Sequence, residues 1–481
     1  MKKIEFFRIF CLTTTLVLSF TLHGTHLNGN STPEFEKGKI TEKVVCEADE
    51  AQVYALYLPT GYSLEKKWPI LYAFDPAARG TVPLKLFKAA AEKYQYIVVC
   101  SYNSRNGPWE NILKAMKSLW LDTGRRFSID MKRIYTTGFS GGARAAAAFP
   151  HVIGKPVAGI IACAAGLPSQ LKAEQVKPSF YYGTVGLDDF NYKEFYRLAK
   201  KLKQAGVAHI IDVFDGPHNW APEEMCGRAM DWMEVAAMKR GLRKNDPNLI
   251  AALYKNSLER YEHLEEAGEI YYAAEFYKYT AALLDGLTDI SEIGEKIFEL
   301  EKSQKYKDFS RREEDRYNKE MGYISRFVYV FSLIRNLDPG KIKLKKLVKD
   351  LQLDYLLKSA GKKNDVYNSA MSRRLLPELV MKGNQEGTKF MEKGDLDRAF
   401  YFFEIAARAD NTGPVAFYNL ACCFALKNKK KEALKNLKLF YELARKKGYT
   451  KFSYLETDKD LDSLRREKDF MEILRLSKQS K

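Results

Sequence analysis

The chain has 481 residues, which indicates two or three domains at roughly 100–200 residues each. Hydrophobic residues make up 46% and charged residues 29%, a globular composition that excludes a fibrous or low-complexity protein. The net charge of +17 is spread evenly, with 31 basic against 23 acidic residues in 1–240 and 47 against 38 in 241–481, so there is no basic tail. The seven cysteines form no CxxC pair and no His stands at metal-ligand spacing, which excludes zinc-ribbon and zinc-finger sites.

The N-terminus has the layout of a secretory signal peptide. Positive charges from Lys2 to Arg8 precede an uncharged apolar stretch over 9–22, which is short for a transmembrane helix, and then a polar segment over 23–31. We therefore expect a signal peptide over 1–30 and an exported protein, periplasmic or extracellular. No clean A-x-A cleavage site is visible. An uncleaved anchor that holds the protein at a membrane stays an alternative, as does a buried N-terminal helix.

Short β-rich runs alternate with helical stretches from residue 40 to 242. This alternation indicates right-handed βαβ units, and the nearly continuous apolar later runs are typical of parallel strands covered on both faces. We predict an α/β domain with a mostly parallel eight-stranded sheet. The predicted strands are Lys43–Cys46, Val53–Leu58, Trp68–Phe74, Tyr96–Tyr102, Arg133–Gly138, Val157–Ala164, Phe180–Thr184 and His209–Phe214. The predicted helices are Val82–Tyr94, Trp109–Phe127, Gly141–Phe149, Tyr192–Gln204 and Pro222–Met238.

The rest of the chain has a helical pattern with an internal repeat. A polar segment over 243–247 ends the strand-rich part, and the pattern G-D-x-x-x-A at 394–399 recurs as N-K-x-x-x-A at 428–433, 34 residues later. This is the tetratricopeptide period. We predict a helical region over 243–380 and tetratricopeptide-like repeats with a closing helix over 381–475.

The repeat-like helices predict a surface that binds a protein partner, because stacked helical repeats form curved peptide-binding faces. The repeats resemble tetratricopeptide units over Gly387–Phe403 and Ala416–Phe440, although the Trp expected near a repeat start is missing, and Gly448–Phe470 resembles a closing helix. A further hairpin is predicted over Ser257–Leu284, around Ala267-Gly268. The alternative is an appendage that only stabilises the first domain.

A G-x-S-x-G motif lies in the first domain, at Gly138-Phe139-Ser140-Gly141-Gly142. It follows the strand-forming run R-I-Y-T-T and opens an Ala-rich helix, which is the setting of a nucleophile elbow. Small neighbours allow the sharp turn and let the backbone pass close enough to present the Ser140 Oγ to a substrate. A Gly-rich turn with an incidental serine is the alternative.

His218 is the candidate base for this serine, because a serine hydroxyl needs a base to become a nucleophile. It lies in the loop segment D-G-P-H-N-W, directly after the apolar run I-I-D-V-F, so it can turn back over the sheet edge toward Ser140. The third member should be a carboxylate between the two in chain order. Asp188 and Asp189 both follow the strand F-Y-Y-G-T, and the one not holding the imidazole would cap the helix that starts near Asn191.

These three motifs, in this order, resemble the α/β-hydrolase superfamily, and within it compact secreted esterases such as polyhydroxybutyrate depolymerases, feruloyl esterases and dienelactone hydrolases. The matching segments are S-I-D-M-K-R-I-Y-T-T-G-F-S-G-G, D-D-F-N-Y and F-D-G-P-H-N-W, within residues 45–240. The resemblance implies ester hydrolysis through an acyl-enzyme and a triad of Ser140, His218 and Asp189, without a cofactor. In similar proteins the acid lies in D-F-N-Y, which favours Asp189.

The oxyanion loop departs from the family pattern. No H-G-G-G segment is present, and the loop after the strand I-L-Y-A-F reads D-P-A-A-R-G. We expect the Gly141 N–H to hold the oxyanion together with the N–H of Ala77 or Ala78, because Pro76 has none. Arg79 either meets an anionic substrate group or forms a surface salt bridge.

The following loop, S-Y-N-S-R-N-G-P-W, offers candidate substrate-binding residues at the carboxyl end of a strand. They are Asn103, Arg105, Asn106 and Trp109, with packing of the loop itself as the alternative. No long insertion between strands has the pattern of a lid, so we expect a fairly open cleft.

The sequence thus predicts an exported serine esterase that acts on a small-molecule or polymeric ester and needs neither a cofactor nor a metal. Two alternatives are an inert hydrolase-fold scaffold whose repeats carry the function, and a serine peptidase, disfavoured because no propeller or large cap is evident. The Lys-rich segments over 341–349 and 427–431 are typical of solvated helix faces, and no phosphate-binding loop is present, so no nucleic-acid partner is expected.

Overall fold

The first half of the chain alternates strands and helices. The computed structural model describes residues 35–266, 270–362 and 366–478, so the predicted signal peptide over 1–30 and the Ala267-Gly268 turn lie outside the described residues. The strands are β1 (Ile40–Cys46), β2 (Asp49–Tyr57), β3 (Trp68–Phe74), β4 (Ile97–Ser101), β5 (Ile129–Phe139), β6 (Gly159–Cys163), β7 (Phe180–Gly186) and β8 (His209–Phe214). The helices among them are α1 (Thr81–Tyr94), α2 (Trp109–Arg126), α3 (Gly141–Ile153), α4 (Tyr192–Gln204) and α5 (Glu223–Lys239).

The eight strands form one sheet in the order β1-β2-β4-β3-β5-β6-β7-β8. The pairs β1–β2 and β2–β4 are antiparallel, and every pair from β4–β3 to β7–β8 is parallel. This order, with crossover helices on both faces, is the α/β-hydrolase fold, and the predicted fold class is confirmed. All eight predicted strands are present, with ends that differ by a few residues.

Both faces of the sheet are covered, which explains the continuous apolar strands. Every residue of β3 is buried. Successive side chains of a strand point to opposite faces. Accordingly, Leu71 and Ala73 belong to the core that includes α1 and α5, whereas the Tyr72 ring contacts Trp120 of α2 and Phe149 of α3. The loops at the carboxyl ends of the parallel strands therefore lie together at one edge of a sheet that is packed on both faces.

The second half is helical. Its helices are α6 (Pro247–Glu266), α7 (Ile270–Leu284), α8 (Ser291–Lys302), α9 (Gln304–Asn336), α10 (Leu344–Asp350), α11 (Leu353–Ala360), α12 (Val366–Glu392), α13 (Leu396–Ala409), α14 (Pro414–Leu426), α15 (Lys430–Lys446) and α16 (Lys468–Lys478). In the described part of the chain, none of the helices is both long enough and apolar enough to cross a membrane.

The sequence repeat corresponds to two equivalent turns. Gly394 lies between α12 and α13 and Asn428 lies between α14 and α15, and both have left-handed backbone angles, φ 77° and 55°. The residue after each turn donates its N–H to a phenylalanine carbonyl five residues earlier, Asp395 to Phe390 O and Lys429 to Phe424 O, both at 2.9 Å. The 34-residue spacing therefore marks a recurring helix–turn–helix unit.

A buried arginine of the helical half contacts the loop that follows β7. The Arg374 guanidinium on α12 donates to both carboxylate oxygens of Glu320 on α9, at 2.9 and 2.6 Å, and both residues are 3% exposed. The same guanidinium donates to the Leu187 carbonyl at 2.8 Å and lies over the Tyr192 ring. The described residues from Glu36 onward accordingly pack as one compact unit. The helical half is thus attached to the loop that follows β7.

Candidate active site

Ser140 occupies a strained turn between β5 and α3. Its backbone angles, φ 53° and ψ −120°, lie in a region that residues with a Cβ rarely adopt, and its N–H donates to Cys163 O at 2.8 Å. A Cβ on Gly138 would lie 2.1 Å from Gly142 O, and one on Gly142 would lie 2.0 Å from Phe74 O. Both outer glycines of the motif are therefore required by close backbone contacts, as the nucleophile-elbow interpretation expects.

The structure brings Ser140, His218 and Asp189 together in one hydrogen-bonded chain. His218 Nε2 lies 2.9 Å from Ser140 Oγ, and His218 Nδ1 lies 2.9 and 3.0 Å from the two carboxylate oxygens of Asp189. Because an ionised carboxylate only accepts hydrogen bonds, the imidazole proton belongs on Nδ1 and Nε2 is left to accept the serine proton. The arrangement can activate Ser140 as a nucleophile.

The two neighbouring aspartates point in different directions. Asp189 is fully buried against His218, whereas the Asp188 carboxylate accepts from Arg373 Nε on α12 at 2.7 Å. The expected helix cap by the other aspartate is wrong, because Asp188 is paired with Arg373 and α4 begins with no side-chain cap. Asp189 itself accepts the Asn191 N–H at 2.7 Å. A nearby cation attracts Asp188 away from the turn, and this cation comes from a segment that a local sequence pattern does not indicate.

Aromatic rings fix the orientation of His218. The Phe190 ring stacks on the imidazole with centroids 4.1 Å apart, and Phe139 contacts it at 4.8 Å. Trp220, two residues after the histidine, donates its indole N–H to Asp75 Oδ2 at 2.9 Å. The histidine loop is thereby attached to the loop after β3, and the imidazole is held between two apolar rings.

The loop after β3 is organised around the buried Asp75 carboxylate. Asp75 Oδ1 accepts the N–H groups of Ala77 at 2.9 Å and Arg79 at 3.2 Å, and the Arg79 guanidinium forms an ion pair with the carboxylate. Burial alone would raise the pKa of Asp75, but hydrogen bonds from Arg79 and Trp220 outweigh burial and lower this pKa. Arg79 therefore takes the salt-bridge role rather than meeting a substrate.

The expected second oxyanion donor is not free. The Ala77 N–H donates to the Asp75 carboxylate oxygen Oδ1, and the Ala78 N–H donates to the Asp75 main-chain carbonyl in a turn, each at 2.9 Å. By contrast, the Gly141 N–H opens α3 and has no acceptor within the described ranges. Among the expected oxyanion donors, only the Gly141 N–H, at the positive end of a helix, remains available to an oxyanion.

The four candidate substrate-binding residues of the loop after β4 are placed in three different ways. Asn103 accepts the Val53 N–H at 2.8 Å and donates to Ala51 O at 2.9 Å, so its amide packs the loop against β2 instead of lining the site. Arg105 and Trp109 are exposed.

Asn106 of the same loop lies over the nucleophile turn. Its N–H donates to Pro76 O at 2.9 Å, and a Cβ built on Gly141 would lie 1.9 Å from Asn106 Oδ1 and 2.9 Å from Nδ2. A half-turn about the last side-chain bond exchanges these two atoms, so the amide can direct a donor at the space beside Gly141.

The expectation of an open cleft is wrong on one side. A cavity of about 530 Å³ lies between the loops that carry Asp188 and His218 and the helical half. Arg373, Pro377 and Met381 of α12 line this cavity. No pattern in the sequence marks these residues as part of the site, because they belong to a separate segment and carry no motif.

Parts of the chain are similar to known proteins. No protein-family model matches the chain. A stretch of 94 residues is 35% identical to a chloroplastic protein of Arabidopsis thaliana, covering 19% of this chain and 27% of that protein, so the chain spans about a quarter of its length. Many solved structures are similar to part of the chain, and two of them serve as examples. The S-formylglutathione hydrolase of Staphylococcus aureus is 16% identical over 38% of this chain and 90% of its own, with a TM-score of 0.33. A ferulic acid esterase of Anaeromyces mucronatus is 17% identical over 40% and 87%, with a TM-score of 0.31.

Proposed function

We propose that this protein is a serine hydrolase that cleaves carboxylic esters. The observation that carries the proposal is the continuous chain from Ser140 Oγ through His218 to the buried carboxylate of Asp189, with every link between 2.9 and 3.0 Å. A strained serine between glycines, and a free Gly141 N–H beside it, match the needs of acyl transfer.

In the first half of the reaction, Ser140 Oγ attacks the ester carbonyl carbon while its proton moves to His218 Nε2. The resulting negative charge on the carbonyl oxygen is stabilised by the Gly141 N–H and, in this proposal, by the side-chain amide of Asn106. His218 then gives its proton to the departing alcohol oxygen, which leaves an acyl group on Ser140.

In the second half, a water molecule takes the place of the alcohol. His218 Nε2 accepts a proton from this water, whose oxygen attacks the acyl carbon and displaces Ser140 Oγ. The proton returns to Oγ, a carboxylic acid departs, and the enzyme is restored. Throughout, Asp189 holds the Nδ1 proton and stabilises the imidazolium.

Fluorophosphonate labelling of the full chain tests the assignment. We expect covalent labelling and hydrolysis of short acyl esters by the unmodified protein, and neither by Ser140→Ala. The matched control is Ser169→Ala, an exposed serine on another loop, which should label fully. Labelling that persists in Ser140→Ala would refute the nucleophile, and absence of labelling in the unmodified protein would favour an inert scaffold. Peptides cleaved far better than esters would make the protein a peptidase instead.

We also propose, from the sequence, that the protein is exported and that its repeat-like helices bind a protein partner. Mass spectrometry of the mature N-terminus tests export, with cleavage near residue 30 expected and an intact N-terminus contradicting it.

Cross-linking in the source cell tests the proposed protein partner of the repeat-like helices. We expect cross-links from the lysines of α15 to another protein, and exclusively internal cross-links would contradict the proposal.

A further inference from the structure

The cavity next to His218 is apolar and is built jointly by both halves of the chain. It measures about 530 Å³, within the range of cavities that hold small organic ligands. The loops that carry Asp188 and His218 supply one wall, and the helical half supplies the other. Its apolar lining includes the side chains of Phe190, Leu376, Pro377, Val380, Met381 and Ala409. Its polar groups are the His218 ring, the ion pair of Asp188 with Arg373, and the Asp410 carboxylate.

The position of the cavity relative to the reacting atoms separates the two parts of an ester. The acyl carbon must bond to Ser140 Oγ, and Ser140 does not line this cavity. The departing alcohol oxygen must instead take a proton from His218 Nε2, and His218 does line it. A group that lies against the imidazole and away from the serine is therefore the alcohol part of the substrate.

We infer that this cavity binds the alcohol portion of the ester and that the preferred substrates are esters of apolar alcohols, aliphatic or aromatic. This inference rests on the proposed function and adds the substrate class. Pro377 is exposed and Val380 and Met381 are only half-buried, so an apolar alcohol would remove their surface from water. Among the described residues that line the cavity, the only cation is Arg373, which Asp188 already pairs, so an anionic alcohol is disfavoured.

Two ester series measured on the full chain test the inference. In acetate esters from methyl to hexyl, each added methylene should raise kcat/KM by up to about four-fold until the cavity is filled. In ethyl esters of lengthening acyl groups, kcat/KM should respond much less. Met381→Trp fills the cavity and should lower the hexyl-to-methyl ratio by about tenfold. Val380→Phe is a second filling variant in case the first does not fold.

The matched control is Met471→Trp, an exposed methionine on α16 that is remote from the cavity lining, which should leave the ratio unchanged. A preference that follows the acyl series, or a ratio equally changed by the control, overturns the inference.

Binding of hexan-1-ol, followed by ligand-observed NMR, separates failure of the inference from failure of the proposed function. If no ester is hydrolysed in a Ser140-dependent way, the proposed function fails, while hexan-1-ol binding that is lost in Met381→Trp still supports the cavity. Equal binding by both proteins, or no binding, overturns the cavity assignment.

Discussion

The two sides of the active site are built in different ways. On the sheet side, Ser140 is placed by backbone geometry, since the turn is strained and its flanking glycines touch neighbouring main-chain atoms. On the helical side, the wall is placed by side chains, through the Arg374–Glu320 pair and the Arg373–Asp188 pair. The difference indicates that the chemistry depends on local main-chain structure, whereas the shape of the site depends on packing between remote segments.

The largest expected effect comes from the sheet side. Asp189→Asn keeps the shape of the side chain but accepts the wrong imidazole tautomer, so kcat should fall by about 10⁴-fold. Asp188→Asn is the matched control because it changes the adjacent carboxylate, which faces Arg373. We expect a much smaller loss, measured as steady-state turnover of a short ester. Equal losses in the two variants would mean that the loop, and not the hydrogen bond to His218, sets the activity.

The next largest effect concerns the contribution of the helical side to the stability of the protein. Arg374→Met leaves the buried Glu320 carboxylate without a partner and should lower the free energy of unfolding by about 3–5 kcal/mol. Arg408→Met removes an exposed pair with Glu404 and should change it by less than about 1 kcal/mol. Urea unfolding measures both. If Arg374→Met changes the free energy of unfolding as little as the control does, the buried pair does not stabilise the helical side of the site.

A further prediction concerns the oxyanion. Asn106→Ala removes the side-chain donor beside Gly141 and should lower kcat by about 10²-fold, with little change in KM. Arg105→Ala changes the neighbouring exposed residue of the same loop and serves as the control. Steady-state kinetics on one ester compares them. A matching fall in Arg105→Ala would assign the effect to displacement of the loop.

The smallest effect is expected where β8 meets the helical half. The His209 side chain packs against the Tyr279 ring of α7 and is 7% exposed. This burial lowers the pKa of His209, and the nearby charge of Lys203 lowers it further. A hydrogen bond to the Val207 carbonyl and the charge of Glu275 act in the opposite direction, but the pKa remains lowered. The folded protein therefore binds the proton less readily than the unfolded chain. The contribution of His209 to stability is complete above about pH 6.5 and is lost as the pH falls below it toward the lowered folded value.

Thermal unfolding between about pH 7.5 and 5.5 checks this sign. The unmodified protein should lose stability over the window, and His209→Gln should lose less. Parallel curves for the two proteins would show that other groups carry the acid sensitivity.

Local patterns were sufficient for the sheet and for three site residues. β3 and β6 are continuous apolar runs, the glycines around Ser140 indicate a sharp turn, and His218 closely follows a strand, so each was recognisable within a few residues. The oxyanion loop was not recognisable in this way. The Ala77 N–H, the expected donor, is hydrogen-bonded to the Asp75 carboxylate, and this contact depends on the direction of the Asp75 side chain. The position of Asn103 predicted a role in substrate binding, but in the structure its side-chain amide is hydrogen-bonded to β2.

By itself, the sequence determined the strand and helix order, the α/β-hydrolase sheet and the set Ser140, His218 and Asp189 with its alternative Asp188, because periodicity and turn chemistry are local properties. The tertiary structure alone decided which aspartate meets His218, that the helical half closes one side of the cleft, and that α12 lines the cavity beside the imidazole. The pair that turns Asp188 away joins residues 185 positions apart. The free energy of such a contact comes from burial and ion pairing after the chain has folded, so no local pattern encodes it.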